Sequence, residues 1–406
     1  MGRYPRPSAE KQTEKQEKEK VRFDQAFNLF ADMIIKKLES VRADWKKPWF
    51  TKGQNMSPKA LYGKYYHGIN ALMLMLHCED KGYRIPVFAT FNYIDSLNRT
   101  KTKDGRRIPA VDANGEKLPY IHVLKGEQSF PVFLTTVNVV NKETKERIKW
   151  SEYEKLSAEE KEDYNLYRRS VIHYVFNVDQ TNMKEARPEL YAKLEKESCQ
   201  QVMEGSGRDF VFEPLDVMVS KNLWICPITP KEQDSAFFRP STNEIIIPTK
   251  AQFIQLDNAE SYYGTMLHEM IHSTGHESQL NRLKANSDKT AYAREELIAE
   301  LGAAMICSRH GMDKVIKEDS LPYLKSWLDD LHQDPSYIRE VLQDLKKASY
   351  IIESKIEHVC RVELNECSEE SLSLSEDGGS EEAIVEMPEA LEAVAARDVP
   401  HFGFGR

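Results

Sequence analysis

Two histidines four residues apart enclose a glutamate in the segment His268-Glu269-Met270-Ile271-His272. Apolar residues recur at helical spacing through residues 258–271, so the segment is predicted to lie on a helix. Residues four apart share one face of a helix, and both imidazoles can therefore bind one divalent cation. Glu269 would then lie beside a water molecule on that cation, which is the arrangement of a hydrolytic metal site.

The sequence on either side supports this interpretation of the pentapeptide. Residues 243–248 (Asn-Glu-Ile-Ile-Ile-Pro) predict a short strand before the helix. Gly275 is expected to end the helix in a left-handed turn. A second helix, rich in glutamate, is predicted to follow and to end near Gly311. Two helices joined by a turn can present ligands to one ion from two directions.

A catalytic zinc site has three protein ligands and one open position. The second helix offers Glu295, Glu296 and Glu300 as the third ligand. Glu296 is preferred because Glu300 follows it at i+4 and is expected to orient a ligating imidazole. His276 is an alternative third ligand, although Gly275 is expected to break the helical face that His276 would need. Zinc is the expected ion, and manganese or cobalt can replace it.

Glu269 has a predicted role as general base. Zinc brings the pKa of a coordinated water near neutrality, and Glu269 would take the proton and pass it to the leaving amine. The alternative is that His268 and His272 are ordinary helix residues and that the glutamates form a solvated face. A purely structural metal site has no use for a base beside an open coordination position.

The length of 406 residues and a hydrophobic content of 40% predict two domains. Residues 1–20 are mostly Lys, Glu and Gln, and residues 366–406 are rich in Glu, Ser and Gly, so both segments are predicted to be disordered. Between them we expect one domain over residues 21–180 and a second over residues 181–365.

The cysteines and the apolar segments indicate where the protein acts. Six cysteines are scattered without paired spacing, which is typical of a reducing cytoplasm. No segment approaches the roughly 20 apolar residues of a membrane span, so we expect no membrane partner. The net charge of −9 is unevenly distributed, because residues 1–150 alone carry about +11. A basic first half indicates a polyanionic partner.

Aromatic and basic residues alternate through residues 45–50, 62–70 and 88–93. This combination is typical of single-stranded nucleic acid binding, in which bases stack on rings and cations follow the phosphates. A basic hairpin is predicted over residues 99–107 with Asp104-Gly105 at its turn. The alternative is that the rings fill a core. The candidate contacts are Trp45, Lys47, Trp49, Lys64, Tyr65, Tyr66, Asn70, Arg99, Lys101, Lys103, Arg106 and Arg107.

Strands are predicted over residues 120–134 and 169–178, with a charged insertion at 141–168 between them. Together with the amphipathic helix that opens the first domain, they predict an α+β fold. We expect a mostly antiparallel sheet in the first domain.

The chain resembles the ArdC-type antirestriction proteins of conjugative plasmids and related mobile elements over about residues 21–355. In the first domain the resemblance rests on Pro48-Trp49, Tyr66-His67-Gly68-Ile69-Asn70, Gly82-Tyr83, Lys125-Gly126-Glu127 and Phe176-Asn177-Val178-Asp179-Gln180. In the second domain it rests on Ala236-Phe237, Ile247-Pro248, the run from His268 to His276, and the run from Tyr292 to Gly302.

The resemblance implies a first domain that binds single-stranded DNA, of a type also found in some conjugative primases. It implies a second domain that is a zincin-like metallopeptidase with His268, His272 and a glutamate of the second helix as ligands and Glu269 as the catalytic carboxylate. Antirestriction would mean shielding incoming plasmid DNA from restriction enzymes. Phe238 stands where relatives usually have tyrosine, which leaves Tyr292 as the candidate for a hydroxyl that stabilises the transition state.

Three alternatives remain open at this point. The protein can be a DNA-protecting binding protein whose metal site is structural or non-proteolytic. It can be a single-stranded DNA-binding protein associated with a conjugative primase. It can also be a protease of a protein partner such as a restriction enzyme subunit. The first domain would then serve only to deliver the peptidase domain to that partner.

Overall fold

The computed structural model describes residues 9–44, 49–50, 57–101, 106–112, 114–200, 210–256, 258–283, 289–316, 320, 323–334 and 337–364. The whole of the predicted acidic tail, residues 366–406, lies outside these residues, as does residue 365. One compact unit comprises Met1–Phe130 with Val175–Glu369, and a second contains Pro131–Tyr174. The first unit therefore includes parts of both predicted domains. Among the described residues, no helix is both long enough and apolar enough to cross a bilayer.

The helices are, in chain order, α1 Ala9–Ala43, α2 Gly68–Lys81, α3 Phe91–Ser96, α4 Trp150–Tyr153, α5 Ala158–Lys161, α6 Met183–Ala186, α7 Pro188–Gln200, α8 Glu213–Ser220, α9 Lys250–Gln255, α10 Ala259–Thr274, α11 Lys289–Arg309, α12 Leu324–Gln333 and α13 Tyr337–Glu363. The strands are β1 Lys59–Ala60, β2 Val87–Thr90, β3 Arg99–Lys101, β4 Arg107–Pro109, β5 Phe130–Asn141, β6 Arg147–Ile148, β7 Tyr164–Asn177, β8 Ile228–Lys231, β9 Phe237–Arg239 and β10 Glu244–Pro248. A 3₁₀ turn, Val178–Gln180, follows β7.

Helix α1 begins at Ala9, so the prediction of disorder for residues 1–20 was wrong for residues 9–20. Lys, Glu and Gln have high helix propensity, and here they extend a helix that is stabilised further along the chain. There Phe30, Ile34 and Leu38 are fully buried at turn spacing. Low apolar content therefore did not mark a break in the helix.

The first unit contains a small mixed sheet formed by β1, β2 and the end of β7. Strand β2 pairs in parallel with β1 and antiparallel with the end of β7, where Phe88 is opposite Asn177. Its core includes Ile85, Val87, Ile121 and Met183. Strands β3 and β4 form a separate antiparallel hairpin, as the basic loop predicted.

The second unit is formed by β5, most of β7, and the short elements between them. Strand β6 pairs antiparallel with β5, and β5 lies beside β7. A small core of Val139, Trp150 and Tyr153 holds this unit together. The charged insertion predicted at 141–168 therefore contains β6, α4, α5 and the start of β7.

A strand was predicted over residues 120–134, but the observed strand β5 starts ten residues later, at Phe130. Residues 120–129 make a single antiparallel bridge at Val123 and then turn at Gly126, whose φ is +93°. Such a φ strains any residue with a side chain and interrupts an extended strand. The apolar residues in this segment pack on the core from a loop, as Ile121 does.

The second sheet of the first unit has the order β8-β10-β9. Strand β10 is parallel to β8 and antiparallel to β9, and its Ile245, Ile246 and Ile247 are buried. Helix α10 packs on this sheet and on α11. At Gly302 of α11 an added Cβ would lie 2.7 Å from Ile271 Cδ1, so this glycine allows the two helices to approach closely. The protein is α+β, as predicted, with mostly antiparallel pairings.

Candidate functional site

Helix α10 carries the predicted pentapeptide and begins after Asn258, whose side chain accepts from the backbone N–H of Ser261. It ends at Thr274, but the prediction of a left-handed turn at Gly275 was wrong, since its φ is −79°. Space at Gly275 is tight: an added Cβ would lie 3.0 Å from Leu283 Cγ and 3.1 Å from the His272 carbonyl oxygen. The returning chain packs against the end of the helix at this point.

Three ligand-type side chains converge where α10 faces α11. The Nε2 atoms of His268 and His272 lie 3.1 Å apart. Glu296 Oε2 lies 3.4 Å from His268 Nε2, and Glu296 Oε1 lies 3.6 Å from His272 Nε2. Among the described residues, these three are the group whose ligand atoms are close enough to hold a metal ion.

The distances fit a divalent cation. Tetrahedral ligands at 2.0–2.1 Å from zinc are about 3.3 Å from one another, which is close to the three separations in the structure. The donor set of two imidazoles and one carboxylate is that of catalytic zinc sites. His268 and Glu296 are almost fully buried, so they would hold the ion away from bulk water on the protein side.

Each histidine has its own carboxylate behind it. His268 Nδ1 lies 3.3 Å from Glu300 Oε1, and His272 Nδ1 lies 3.3 Å from Glu295 Oε1. A carboxylate at Nδ1 orients the ring and leaves Nε2 available to the metal. The structure thus gives Glu295, Glu296 and Glu300 three different positions: one faces the ion site and two support its histidines.

Cations in turn hold these two supporting carboxylates. Arg282 donates through Nε and Nη2 to both oxygens of Glu295 and through Nη2 to the Ile271 carbonyl, near the end of α10. Lys314 Nζ lies 3.0 Å from Glu300 Oε2. Arg282 and Lys314 were not anticipated from the sequence, because their partners are far away along the chain and no local motif marks them.

Burial and charge shift the pKa values in this network. Burial lowers the pKa of His268, but hydrogen bonds to Glu296 and Glu300 outweigh it and raise the pKa to about 9. Burial raises the pKa of Glu296, but the hydrogen bond to His268 and the charges of both histidines lower it to about 2. Glu300 also has a pKa far below its usual range, since Lys314 and His268 outweigh its burial. The carboxylates are therefore ionised at neutral pH.

Glu269 is buried beside this cluster, and its Oε2 accepts from the backbone N–H of Phe238 at 2.9 Å. Strand β9 thus fixes the carboxylate predicted to act as base. Tyr292 is half exposed and hydrogen-bonds Glu296. Burial and the charge of Glu296 raise the pKa of Tyr292. His276, the alternative third ligand, lies outside the cluster and faces the Phe238 ring.

The predicted nucleic-acid contacts have mixed positions. Lys64, Arg99, Arg106 and Arg107 are exposed, and Tyr65 and Tyr66 are half-buried. Trp45, Lys47 and Lys103 lie outside the described residues, as does the Lys101 side chain.

Two of these predicted contacts are corrected by the structure. Trp49 is only 1% exposed and Asn70 is only 4% exposed, so neither side chain can meet a base. Trp49 belongs to the core, and its backbone N–H donates to the Lys314 carbonyl. Asn70 lies on the buried part of α2. In both cases tertiary packing decides exposure, and the alternation of residue types did not reveal it.

Two family models match the chain in the order of the predicted domains. Residues 24–176 match the N-terminal domain of the anti-restriction factor ArdC. Residues 226–343 match a zincin-like metallopeptidase domain. The second match contains α10 and α11, and therefore all three ligand-type residues.

Solved structures of the antirestriction protein ArdC from plasmid R388 share this fold. The metal-free crystal structure has a TM-score of 0.54 at 25% identity, over 82% of this chain and 98% of that one. The Mn(II)-bound structure has a TM-score of 0.52 at 24% identity, over 81% of this chain and 97% of that one.

Curated relatives include two DNA primases TraC from Escherichia coli. One is 27% identical over 340 residues, which are 78% of this chain and 26% of the primase. The other is 28% identical over 331 residues, 78% of this chain and 19% of the primase. The chain therefore spans about a quarter or less of the length of these relatives.

The fold and the metal cluster define a protein that joins an ArdC N-terminal domain to a zincin-like metallopeptidase domain. In its domain order and fold the chain is of the ArdC type.

Proposed function

We propose that this protein binds single-stranded DNA entering a cell, shields it from restriction, and carries a zinc-dependent peptidase site of the HExxH and Glu type. The observation that carries the peptidase part is the convergence of His268, His272 and Glu296 beside the buried Glu269. A catalytic carboxylate next to three ligands matches a hydrolytic site, whereas a structural zinc site normally has four protein ligands.

The residues around the cluster support specific roles. His268, His272 and Glu296 would hold the cation, which supplies Lewis acidity and acidifies a coordinated water. Glu269, whose Oε2 accepts from the Phe238 N–H, would act as the general base. Tyr292, which is half exposed, can donate a hydrogen bond from its hydroxyl to a developing oxyanion once it no longer hydrogen-bonds Glu296. Zinc is the proposed ion, with manganese or cobalt as replacements.

DNA binding is supported by the excess of positive charge in the first 150 residues. Residues 1–150 carry about +11 in a chain with a net charge of −9. Lys64, Arg99, Arg106 and Arg107 expose their charges to solvent. We propose single-stranded DNA as the partner because the same domain also exposes large aromatic rings, on which unpaired bases stack.

Glu269→Gln tests the peptidase proposal. We expect this variant to bind the cation and single-stranded DNA as the wild type does, because the amide keeps the size of the side chain. Hydrolysis of a peptide library is expected to fall by roughly 10²- to 10⁴-fold, since the general base is lost. Retained cleavage would exclude Glu269 as the base. A restriction enzyme subunit is the first protein substrate to test.

Salt dependence tests the DNA-binding proposal with the full chain, since the first compact unit includes parts of both domains. We expect the affinity for a labelled single-stranded oligonucleotide to fall steeply as salt rises, because each neutralised phosphate releases a counterion. Fluorescence anisotropy over a salt series measures the slope. Absent or salt-insensitive binding would reject the first domain as an electrostatic DNA-binding module.

A further inference from the structure

Helix α3 has one face in the core and one face in solvent. Ile94 is buried, and Tyr93 and Leu97 pack against the same core. Phe91 and Asp95, four residues apart, lie on the outward face, and Phe91 is 59% exposed. One exposed aromatic ring is common on protein surfaces. A cluster of such rings indicates a binding surface.

Two more exposed rings flank this helix. The Tyr62 ring lies 5.7 Å from the Tyr93 ring in an edge-to-face contact, and Tyr62 is 52% exposed. The Tyr120 hydroxyl donates to Asp95 on the outward face, and Tyr120 is 59% exposed. The first contact places Tyr62 next to Tyr93, and the second holds Tyr120 next to Asp95, on the same outward face as Phe91.

Basic side chains lie next to these rings. Arg99 Nη2 is 3.7 Å from Asp95 Oδ2, and its side chain is 54% exposed. In the β3–β4 hairpin Arg99 is opposite Pro109 and Lys101 is opposite Arg107. Opposite and alternate residues of an antiparallel pair share a face, so Arg107 projects from the same face of the hairpin as Arg99. Asp95 on the outward face of α3 contacts both Arg99 and Tyr120.

We propose that Phe91 and Tyr120 form a stacking surface for unpaired bases, with Arg99 and Arg107 beside it for the phosphates. This inference rests on the proposed DNA-binding function and assigns that function to particular side chains. Single-stranded nucleic acid fits this surface because its bases are free to stack on rings while cations follow its backbone. In a duplex the bases stack on one another and are not accessible to the rings.

The test compares variants of the full chain by fluorescence anisotropy with labelled oligothymidylate. Phe91→Ala and Tyr120→Ala are each expected to weaken binding by roughly 5- to 100-fold, which is the effect of losing one stacked base. Phe91→Trp is expected to retain the wild-type affinity, because the ring is retained. Tyr167→Ala is the matched control, since Tyr167 is 57% exposed and lies in the second unit.

A second probe separates stacking from charge. On an abasic oligonucleotide Phe91→Ala is expected to bind as the wild type does, because this strand has no bases to stack, whereas an Arg99→Gln variant binds both probes more weakly. Wild-type affinity of both alanine variants for oligothymidylate would overturn the stacking surface, as would equal losses on both probes. If the wild type itself does not bind oligothymidylate, the DNA-binding function fails and this inference fails with it.

Discussion

Two regions of the molecule use charged side chains in opposite ways. One is the cluster of His268, His272 and Glu296, called here the metal cluster, and the other is the surface of Phe91, Tyr120, Arg99 and Arg107, called here the α3 surface. At the cluster every supporting charge is buried against an opposite charge, as Arg282 is against Glu295 and Lys314 is against Glu300. On the α3 surface Arg99 and Arg107 remain in water. Burying an unpaired charge costs free energy, so a change at the cluster is expected to affect both folding and metal binding. A change at the α3 surface is expected to affect DNA binding alone.

The largest expected effect is loss of metal binding on removal of a ligand. His272→Ala deletes one of the two imidazoles that lie 3.1 Å apart, and it leaves two protein ligands. We expect affinity for Zn²⁺ or Mn²⁺ to fall by at least about 100-fold, since even the loss of an outer partner costs 10- to 100-fold. Isothermal titration calorimetry of metal-free protein measures it.

His276→Ala is the matched control for this experiment, because it removes a neighbouring histidine that lies outside the cluster. We expect it to bind metal as the wild type does. Oligonucleotide binding should be the same in both variants. Strong metal binding by His272→Ala, or its loss in His276→Ala, would show that the ion is held by a different set of ligands.

Arg282→Met is expected to produce the next largest effect. It removes the cation that holds Glu295 and leaves that carboxylate buried, so we expect the free energy of unfolding to fall by about 3–5 kcal/mol. Metal affinity should also fall, by roughly 10- to 100-fold, because Glu295 no longer orients His272. Thermal unfolding and competition with a chelator measure the two effects.

Lys221→Met is the control for a pair outside any site, since Lys221 Nζ lies 2.6 Å from Glu363 at the surface. Exposed pairs contribute little to stability, and we expect no measurable change in unfolding or metal affinity. Equal effects of the two substitutions would contradict the view that burial makes the Arg282 contact important.

Helical spacing explains why the metal cluster could be predicted. His268 and His272 lie on one face because four residues make about one turn, and the α10 bounds differ from the prediction by only a few residues. The separate positions of Glu295, Glu296 and Glu300 depend on how α11 is rotated against α10. That rotation is set by packing, including the contact of Gly302 with Ile271, which no local pattern encodes.

The α3 surface was harder to predict because exposure is a tertiary property. Trp49 and Phe91 both lie in segments where aromatic and polar residues mix, yet Trp49 is 1% exposed and Phe91 is 59% exposed. Tyr120 contacts α3 from the loop of residues 120–129. The apolar residues of this loop had predicted a strand. The composition identified the basic part of the chain. It did not identify which aromatic side chains are exposed to solvent.

A pH dependence of stability is the third expected effect. The pKa of His268 is raised from 6.5 to about 9, so its protonated form stabilises the metal-free protein. That stabilisation is fully present below pH 6.5 and is lost as pH rises through about 9, at up to about 1.4 kcal/mol per pH unit. Thermal unfolding in chelator should therefore show a falling transition temperature from pH 6.5 to 9.

Saturating metal should remove this fall, because the bound cation replaces the proton on His268. Metal affinity should rise over the same pH range, since binding releases that proton. A metal-free protein whose stability does not change between pH 6.5 and 9 would contradict the charged state assigned to His268.

The smallest expected effect is that of Trp49→Phe, which tests whether a ring in an aromatic and basic segment contacts DNA. Trp49 is buried, and its indole Nε1 has no hydrogen-bond partner among the described residues. Phenylalanine removes that donor and keeps an aromatic ring in the core, so we expect the free energy of unfolding to change by no more than about 1 kcal/mol. Oligothymidylate affinity should equal that of the wild type, unlike that of Phe91→Ala. Weaker DNA binding with unchanged stability would place Trp49 at the interface and would show that its segment opens when DNA binds.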